Sequence, residues 1–546
     1  MLGGWTVVEG PGWFIAANRE DCIAQVGERV VASPAPHLID RAQGRRLSLH
    51  DACERLTQTG SALLDDLAPP YRLLTGHRGN NRVEAHFDHF GLGHMFEGRK
   101  GDTLFTSSSV RLVAEAIGAR PDIAALLGYS QIGVFPFSAT PYEGVLKLLP
   151  GDAWGEEYAE PRKVVPLHTL QHEVETSFRE AVQALLTAAP DASLELSGGL
   201  DSRLILAALT PEQRRGRAAL TLGSPGEVSQ DLLIASRLSS ANDLAHRISQ
   251  PPSSPWEDPE ALFATLETAC LGYQCMGNPV DKATLLANGD DSEGLSRFSG
   301  QNGEILRGFY HAMQPLGARA SDALWASLTD WRLIANDRVP ARFLSDHACD
   351  EAIPAARKSF LAELSQFDGE WGQVIDRLYL RLRMQAWVGN AASSNLVKRT
   401  MLMPFFDRQF VKAAMALPAA ARSNSHAAYR LLADIDPVLA AVPLDSGSAP
   451  ADILNPGLGT KLAGLRRNAG KLATKLGQRL RPRPGTALGG AAIVEAWHHH
   501  RGFERLDMER LAALGIFDPA MLEALQSGQA TPDRSELGFL LVCNNL

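Results

Sequence analysis

Paired cysteines are missing from this chain. Cys22, Cys53, Cys270, Cys275, Cys349 and Cys543 are scattered and no two form a CxxC. That spacing excludes a zinc ribbon and a disulfide scaffold, and fits reduced thiols in a cytoplasmic enzyme. A basic excess is missing too. The 53 Lys and Arg stand against 62 Asp and Glu, a net charge of −9, so nothing points to a nucleic-acid-binding surface overall. No apolar run approaches the roughly 18 residues of a membrane span. The first residues, MLGGWTVVEG, lack the basic-then-apolar order of a signal peptide. What remains is a soluble make-up, 45% hydrophobic and 21% charged, over 546 residues, enough for two or more domains with filled cores.

One stretch organises the rest. Ser193–Leu209 reads SLELSGGLDSRLILAAL. Ser193–Leu196 predicts a short buried strand, Ser197–Ser202 a turn, and Arg203–Leu209 an apolar helix. Thr210-Pro211 closes that helix, because proline lacks the N–H and keeps the preceding residue out of the α region. A strand, a Gly-rich turn and a helix N-terminus make an anion site. Gly198 and Gly199 let backbone approach a phosphate, and Ser197 and Ser202 add hydroxyl donors. Asp201 is the unexpected member, since a carboxylate repels phosphate unless a cation lies between them. It therefore implies Mg²⁺ bridging to phosphate oxygens. The loop has no lysine and no GxxxxGK[ST], so it is not a Walker P-loop.

SGGLDS resembles the loop of the PP-loop ATP pyrophosphatases, and among them the asparagine synthetase-like branch. That branch includes asparagine synthetases, β-lactam and carbapenam synthetases and lasso-peptide cyclases. The resemblance implies an α/β chain in two parts. Residues 1–165 would be a class II glutamine amidotransferase-like, Ntn-type αββα domain. Residues 170–546 would be a PP-loop synthetase domain with a parallel sheet flanked by helices. It also implies that Ser197, Gly198, Gly199, Leu200, Asp201 and Ser202 bind ATP and pyrophosphate, with Leu196, Leu222 and Gly223 lining the adenine slot.

Along the chain, Trp5–Val8 and Trp13–Ala17 predict strands around the turn Gly10-Pro11-Gly12. Tyr71–Thr75, Arg82–His86 and Thr103–Thr106 continue the β-rich pattern, with a hairpin expected at Gly98–Asp102. Ser109–Ile117 and Pro121–Leu127 predict helices. FDHFGLGHMF, TLFTSSSVRLVAEA and YEGVLKLLPGDAW resemble the amidotransferase domain. In that family an N-terminal cysteine, with its own α-amine as base, hydrolyses glutamine. Here Leu2 follows Met1 and the nearest cysteine is Cys22, so the expectation is a layer without glutaminase activity.

Leu170–Ala188 has helical spacing, and Ala218–Leu222, Val228–Leu238 and Ala245–Ile248 alternate strand, helix, strand. Phe298–Tyr310, FSGQNGEILRGFY, resembles the family's SGxGxDExxGGY loop, which lies against pyrophosphate. Ser299 and Gly300 match it. Glu304 stands where the family has the Asp that completes the Mg²⁺ site, so Asp201 and Glu304 are the expected pair of hard oxygen ligands. Gln301 replaces the Glu of asparagine synthetases and the catalytic Tyr of β-lactam synthetases, and Gln accepts no proton at neutral pH. Thr400 and Leu402 stand where the family has an acidic and a basic residue, which suggests a remodelled acceptor pocket around Gln301 and Thr400. Arg377, Arg381 and Arg383 are expected on a solvated helix face, and Asp407 as a helix N-cap. Asp434–Pro450 contains no lysine where asparagine synthetases carry one. Lys461–Arg483 holds eight Lys and Arg and no acid, either a docking patch or a solvated insertion. His498–His500 has no second ligand cluster with it.

The reading is an ATP- and Mg²⁺-dependent ligase that releases AMP and pyrophosphate as it makes an amide. Within the family it is most similar to lasso-peptide cyclases. That implies a precursor peptide as substrate and a leader peptidase and a leader-binding protein as pathway partners. A β-lactam synthetase-like enzyme, an ammonia-dependent asparagine synthetase-like enzyme and an inactive peptide-holding scaffold are the alternatives.

Overall fold

The computed structural model describes residues 4–35, 37–151, 165–223, 229–249, 256–287, 296–334, 338–445, 447–455 and 490–546. The N-terminal part is antiparallel. Strands β1 (Thr6–Gly10) and β2 (Trp13–Ala17) form a hairpin around Pro11-Gly12. Strands β3 (Ile23–Val26), β4 (Arg29–Ala32), β7 (Arg72–His77) and β8 (Val83–Phe87) build a sheet in the order β3-β4-β7-β8, and β5 (Leu38–Asp40) pairs β6 (Arg45–Leu47). Side chains alternate across β4. Val31 faces helix α1 (Leu49–Thr59), packing with Leu49, Leu56 and Leu73, while Val30 and Ala32 turn to Ile15 of the hairpin.

A second sheet follows, β10-β9-β11, from β9 (Phe96–Lys100), β10 (Thr103–Ser107) and β11 (Val145–Lys147). Its hairpin turns at Gly101-Asp102, later than expected. Gly98 lies inside β9, where a Cβ would come within 2.8 Å of Val113 Cγ1. Helices α2 (Val110–Ile117) and α3 (Ile123–Ile132) start at Ser109 and Asp122, whose side chains accept the N–H of Leu112 and Ala125. α3 runs past the expected Leu127 because its apolar residues stay buried to Ile132. These sheets do not close a core alone. Phe96, Val113 and Leu126 share one with Leu266, Trp497 and Phe539. Phe90, Leu92 and Val134 share another with the sheet described next.

Helix α4 (Leu167–Ala188) buries Leu170, Val174, Phe178, Val182 and Leu185, a 3.6-residue stripe. It feeds a five-stranded parallel sheet of order β14-β13-β12-β15-β16, made of β12 (Ser193–Glu195), β13 (Ala218–Leu222), β14 (Ala245–Ser249), β15 (Arg297–Phe298) and β16 (Met401–Leu402). Ala219, Leu194, Phe298 and Leu402 are register partners across four strands and all are buried. The chain is thus a mixed α/β protein with the parallel sheet its pattern predicts.

Two helices depart from expectation. Helix α5 begins at Leu200, not Arg203, and ends at Ala207. Gly199 is extended (φ −71°, ψ 177°) and serves as N-cap, so Asp201 enters the first turn, where the helix dipole favours a negative charge. Thr210 instead caps a separate short helix, Pro211–Arg214, in a capping box with Gln213. After helix α6 (Gln230–Ala241) and a run of further helices, α7 (Trp371–Leu378) continues into a π-helical stretch, Tyr379–Val388. Its arginines are half-buried, not a solvated face. Arg383 lies over Trp387 at 4.7 Å and Phe309 at 5.8 Å, Arg381 over Phe367 at 5.8 Å, and Arg377 donates to the Asp368 carbonyl. Asp407 is the N-cap of helix α8 (Arg408–Ala416), accepting from Gln409 and Phe410 N–H. His498 and His499 end a helix, and the His500 Nε2–H donates to the Trp256 carbonyl. Lys461–Arg483 lies outside the described residues. Among those residues no helix is long and apolar enough to cross a membrane.

The FDHFGLGHMF segment is a junction between the two halves. Asp88 accepts the backbone N–H groups of Phe90, Leu92 and Gly93, which fixes the bend after β8. His94 then reaches across. Its N–H donates to Ser393 Oγ at 2.7 Å and its Nε2–H to the Gln385 carbonyl at 2.8 Å. Burial, then the nearby Lys147, push the His94 pKa down to about 3 against the opposing Gln385 carbonyl. An unfolded histidine titrates near 6.5. Between those values the unfolded chain binds a proton that the folded one excludes, so stability falls as pH drops below about 6.5. Urea unfolding of wild type and His94→Asn at pH 6.5 and 4.5 tests this. Wild type should lose roughly 2 kcal/mol more than the variant; equal losses would contradict it.

Candidate functional site

β12 is the strand at which the sheet changes direction. The chain passes from it to β13 and β14 on one side and returns to β15 and β16 on the other. In open α/β sheets the crevice beyond the carboxyl ends of the strands at such a point is a ligand site. Two loops meet there, Leu196–Gly199 after β12 and Ser299–Glu304 after β15.

The first loop is closed by its own serines. Ser202 Oγ accepts the Ser197 N–H at 3.1 Å and lies 3.0 Å from Ser197 Oγ, which accepts the Gly199 N–H at 3.1 Å. Gly198 does less for a ligand than its sequence suggests. Its N–H donates to Asp231 Oδ1 at 2.8 Å, and a Cβ would stand 3.1 Å from Asp231 Cα and Ile234 Cβ on α6. It permits close packing of loop on helix. Arg203, on α5, is wholly buried. Its guanidinium donates to the carbonyls of Gly198, Leu439, Val442 and Pro443. Part of the lysine-free Asp434–Pro450 segment is thus tied to the loop through Arg203.

Asp201 is the centre of the site. Oδ2 accepts from Arg307 Nη1 at 2.9 Å, whereas Oδ1 is buried with no hydrogen-bond partner among the described residues. Burial lifts its pKa above the ordinary carboxylate range, Arg307 pulls it back, and the charge of Glu304 raises it again. Glu304 Oε2 accepts the Tyr379 hydroxyl at 3.0 Å. Tyr379 is buried on the π-helical stretch, and burial together with Glu304 holds its hydroxyl protonated, well above the usual phenol range. An unpaired buried carboxylate oxygen beside a second carboxylate is a donor set that suits Mg²⁺. Asp201 and Glu304 are the residues that would hold it.

The second loop presses directly on the first. A Cβ on Gly303 would lie 2.3 Å from Asp201 Cγ, and one on Gly300 3.1 Å from the Ser202 nitrogen. Asn302 sits between them at φ 75°, the left-handed region that Asn tolerates. Its Nδ2 donates to the Phe405 carbonyl at 2.7 Å. Ser299 is buried and its N–H donates to the Leu402 carbonyl. Gln301 is half-buried in the same loop. Thr400 is half-buried before β16 and its carbonyl accepts the Arg297 N–H. Of the adenine-slot residues, Leu196 is 2% exposed in the main core, and Leu222 is 40% exposed at the carboxyl end of β13. The Gly223 N–H donates to Ser249.

Sequence reasoning missed Arg307, Tyr379 and Asp231. Arg307 follows the 3₁₀ turn Gly303–Leu306 and its partner Asp201 lies 106 residues away, so no local pattern points to it.

Residues 173–266 match the family model described as asparagine synthase. The match covers the SGGLDS loop and stops before Ser299–Glu304. No match to the chain is found among curated proteins. The matched stretch is asparagine synthetase-like, and it supports an ATP-dependent amide-forming ligase in general.

The contact between the loops gives a prediction. Gly303→Ala forces Asp201 to move and should cost about 1–3 kcal/mol, the usual range for overpacking. Thermal unfolding and nucleotide binding should both suffer. A variant as stable and as ATP-competent as wild type would show that the loops do not touch.

Proposed function

We propose that this protein is an AMP-forming carbon–nitrogen ligase that closes a macrolactam in a precursor peptide, as lasso-peptide cyclases do. The observation that carries the reading is Asp201, a buried carboxylate with one unpaired oxygen, set beside Glu304 on a Gly-rich loop at a helix N-terminus. Such a carboxylate has no purpose in a simple phosphate cradle, and a structural scaffold has no need of it.

An Asp or Glu side-chain carboxylate of the peptide attacks the α-phosphorus of ATP. The bond to the β-phosphate oxygen breaks and pyrophosphate leaves. The peptide's free N-terminal amine then attacks the acyl carbon, the bond to AMP breaks, and the amine's proton passes to a base. The α5 N-terminus would face the phosphates, and Gly300 lets the second loop lie against its first turn. Mg²⁺, when bound by Asp201 and Glu304, supplies charge neutralisation on the phosphates. Gln301 cannot be the base, which favours an acceptor amine over the Glu- and Tyr-assisted chemistries of the relatives. Thr400, close to β15, would belong to the acceptor pocket. A leader peptidase and a leader-binding protein would deliver the peptide.

ATP–pyrophosphate exchange, measured with and without Asp- or Glu-bearing peptides, tests the reading. Exchange should depend on peptide. Exchange supported by a free amino acid alone would move the reading to a small-substrate synthetase, and no exchange in folded protein would end it. Asp201→Asn should lower exchange by more than about 100-fold with the thermal midpoint retained; near-normal exchange would remove Asp201 from the site.

A further inference from the structure

We infer that Arg307 is the protein's own cation for the pyrophosphate leaving group, an inference that rests on the adenylation reading above. The charge inventory leads to it. Around the loop stand Asp201, Glu304 and Asp231, the last taking the Gly198 N–H. A polyphosphate brought to this crevice needs positive charge from the protein. Arg203 cannot give it, because that guanidinium is 0% exposed and spent on four backbone carbonyls. The loop has no lysine, and neither does Asp434–Pro450, part of which is tied to it through Arg203. Arg332 and Arg383 are spread over the Phe309 ring at 5.1 Å and 5.8 Å. Arg307 remains.

Its geometry suits the task. It leaves the chain between the Gly303–Leu306 turn and Gly308, which is left-handed at φ 62°. Its side chain is 33% exposed, and Nη1 donates to Asp201 Oδ2. Nε and Nη2 face no hydrogen-bond partner among the described residues. One edge of the fork is therefore anchored on the first helical turn, and the side chain is part-exposed beside it. Arg is the side chain fitted to bidentate phosphate binding, and it keeps its charge in a half-buried setting. Anchoring on Asp201 lowers the entropy lost when phosphate arrives. The anchor also serves Asp201, whose buried charge would otherwise stand alone.

Pyrophosphate binding to the full-length protein separates a direct contact from a supporting one. Titrate Mg²⁺-pyrophosphate by calorimetry into wild type, Arg307→Gln, Arg307→Lys and, as control, Arg383→Gln. Thermal unfolding of each establishes folding. Arg307→Gln should weaken pyrophosphate roughly 10- to 100-fold, Arg307→Lys should recover part, and Arg383→Gln should bind as wild type. A folded Arg307→Gln with wild-type affinity overturns the inference, as does equal weakening by Arg383→Gln. If Arg307→Gln does not fold, the Lys variant decides, because wild-type affinity there together with an unchanged off-rate denies the fork a role. Wild type that binds neither ATP nor pyrophosphate removes the adenylation reading itself, whereas wild type that exchanges pyrophosphate while Arg307→Gln matches it removes only the role of Arg307.

Discussion

A carboxylate oxygen held out of water with nothing to bond is the constraint on which this site turns. Leaving a buried acceptor unsatisfied costs about 1–3 kcal/mol, and more when it is charged. The fold spends that at Asp201 Oδ1 and packs Gly300, Gly303 and Arg307 closely around its side chain and first helical turn. Gly303 is small because Asp201 occupies the space of its Cβ, and Gly300 is small because the first turn of α5 does. Arg307 steadies the second oxygen, and Tyr379 turns Glu304. Unsatisfied buried groups in native proteins mark places where a partner is expected. A cation that takes oxygen ligands is the partner proposed for it.

The sheet supplies position but little stiffness of its own. β12 has three residues and β15 and β16 two each, too short to hold loops by ladder hydrogen bonds alone. Buried polar groups do the rest. Arg203 gathers four carbonyls from the loop and from the segment after Leu439. Behind the second loop, Asp376 accepts from His311 Nε2 at 3.0 Å and pairs with Arg422 at 2.7 Å, all three buried. Gly308 makes room for His311, since a Cβ there would lie 2.3 Å from Nδ1. Breaking such a buried pair is costly because one charge is left behind. The loop is therefore fixed from beneath as well as from the side.

What the sequence reveals follows the range of each interaction. SGGLDS is legible because strand, turn and helix start are local, and FSGQNGE only through its resemblance to the family's SGxGxDExxGGY loop. The helix boundary at Leu200 was misjudged by three residues, since Gly199 caps without a side-chain signal. Asp231, Arg307 and Tyr379 are brought in from 33, 106 and 75 residues away from their partners Gly198, Asp201 and Glu304. No periodicity announces contacts of that kind. The arginines of the π-helical stretch misled for a related reason. Charge at helical spacing reads as a solvated face, but aromatic rings accept guanidinium planes and bury their stems.

The N-terminal layer has a physical reason to be present whatever its own chemistry. It lends Phe90, Leu92 and Val134 to the core beneath the parallel sheet and Phe96 and Leu126 to the core under the C-terminal helices. Without it both cores would lie open, and apolar area returned to water costs roughly 25 cal/mol per Å². It also reaches the site. Arg41 pairs with Asp407 at 2.7 Å. Asp407 caps α8 and ends the Pro404–Phe406 turn, whose Phe405 carbonyl accepts from Asn302. Asn302 stands next to Gly303, and Gly303 abuts Asp201. An antiparallel layer from the start of the chain thus helps set where that loop rests, through contacts that depend on packing and hydrogen bonding and not on any reaction in the layer itself.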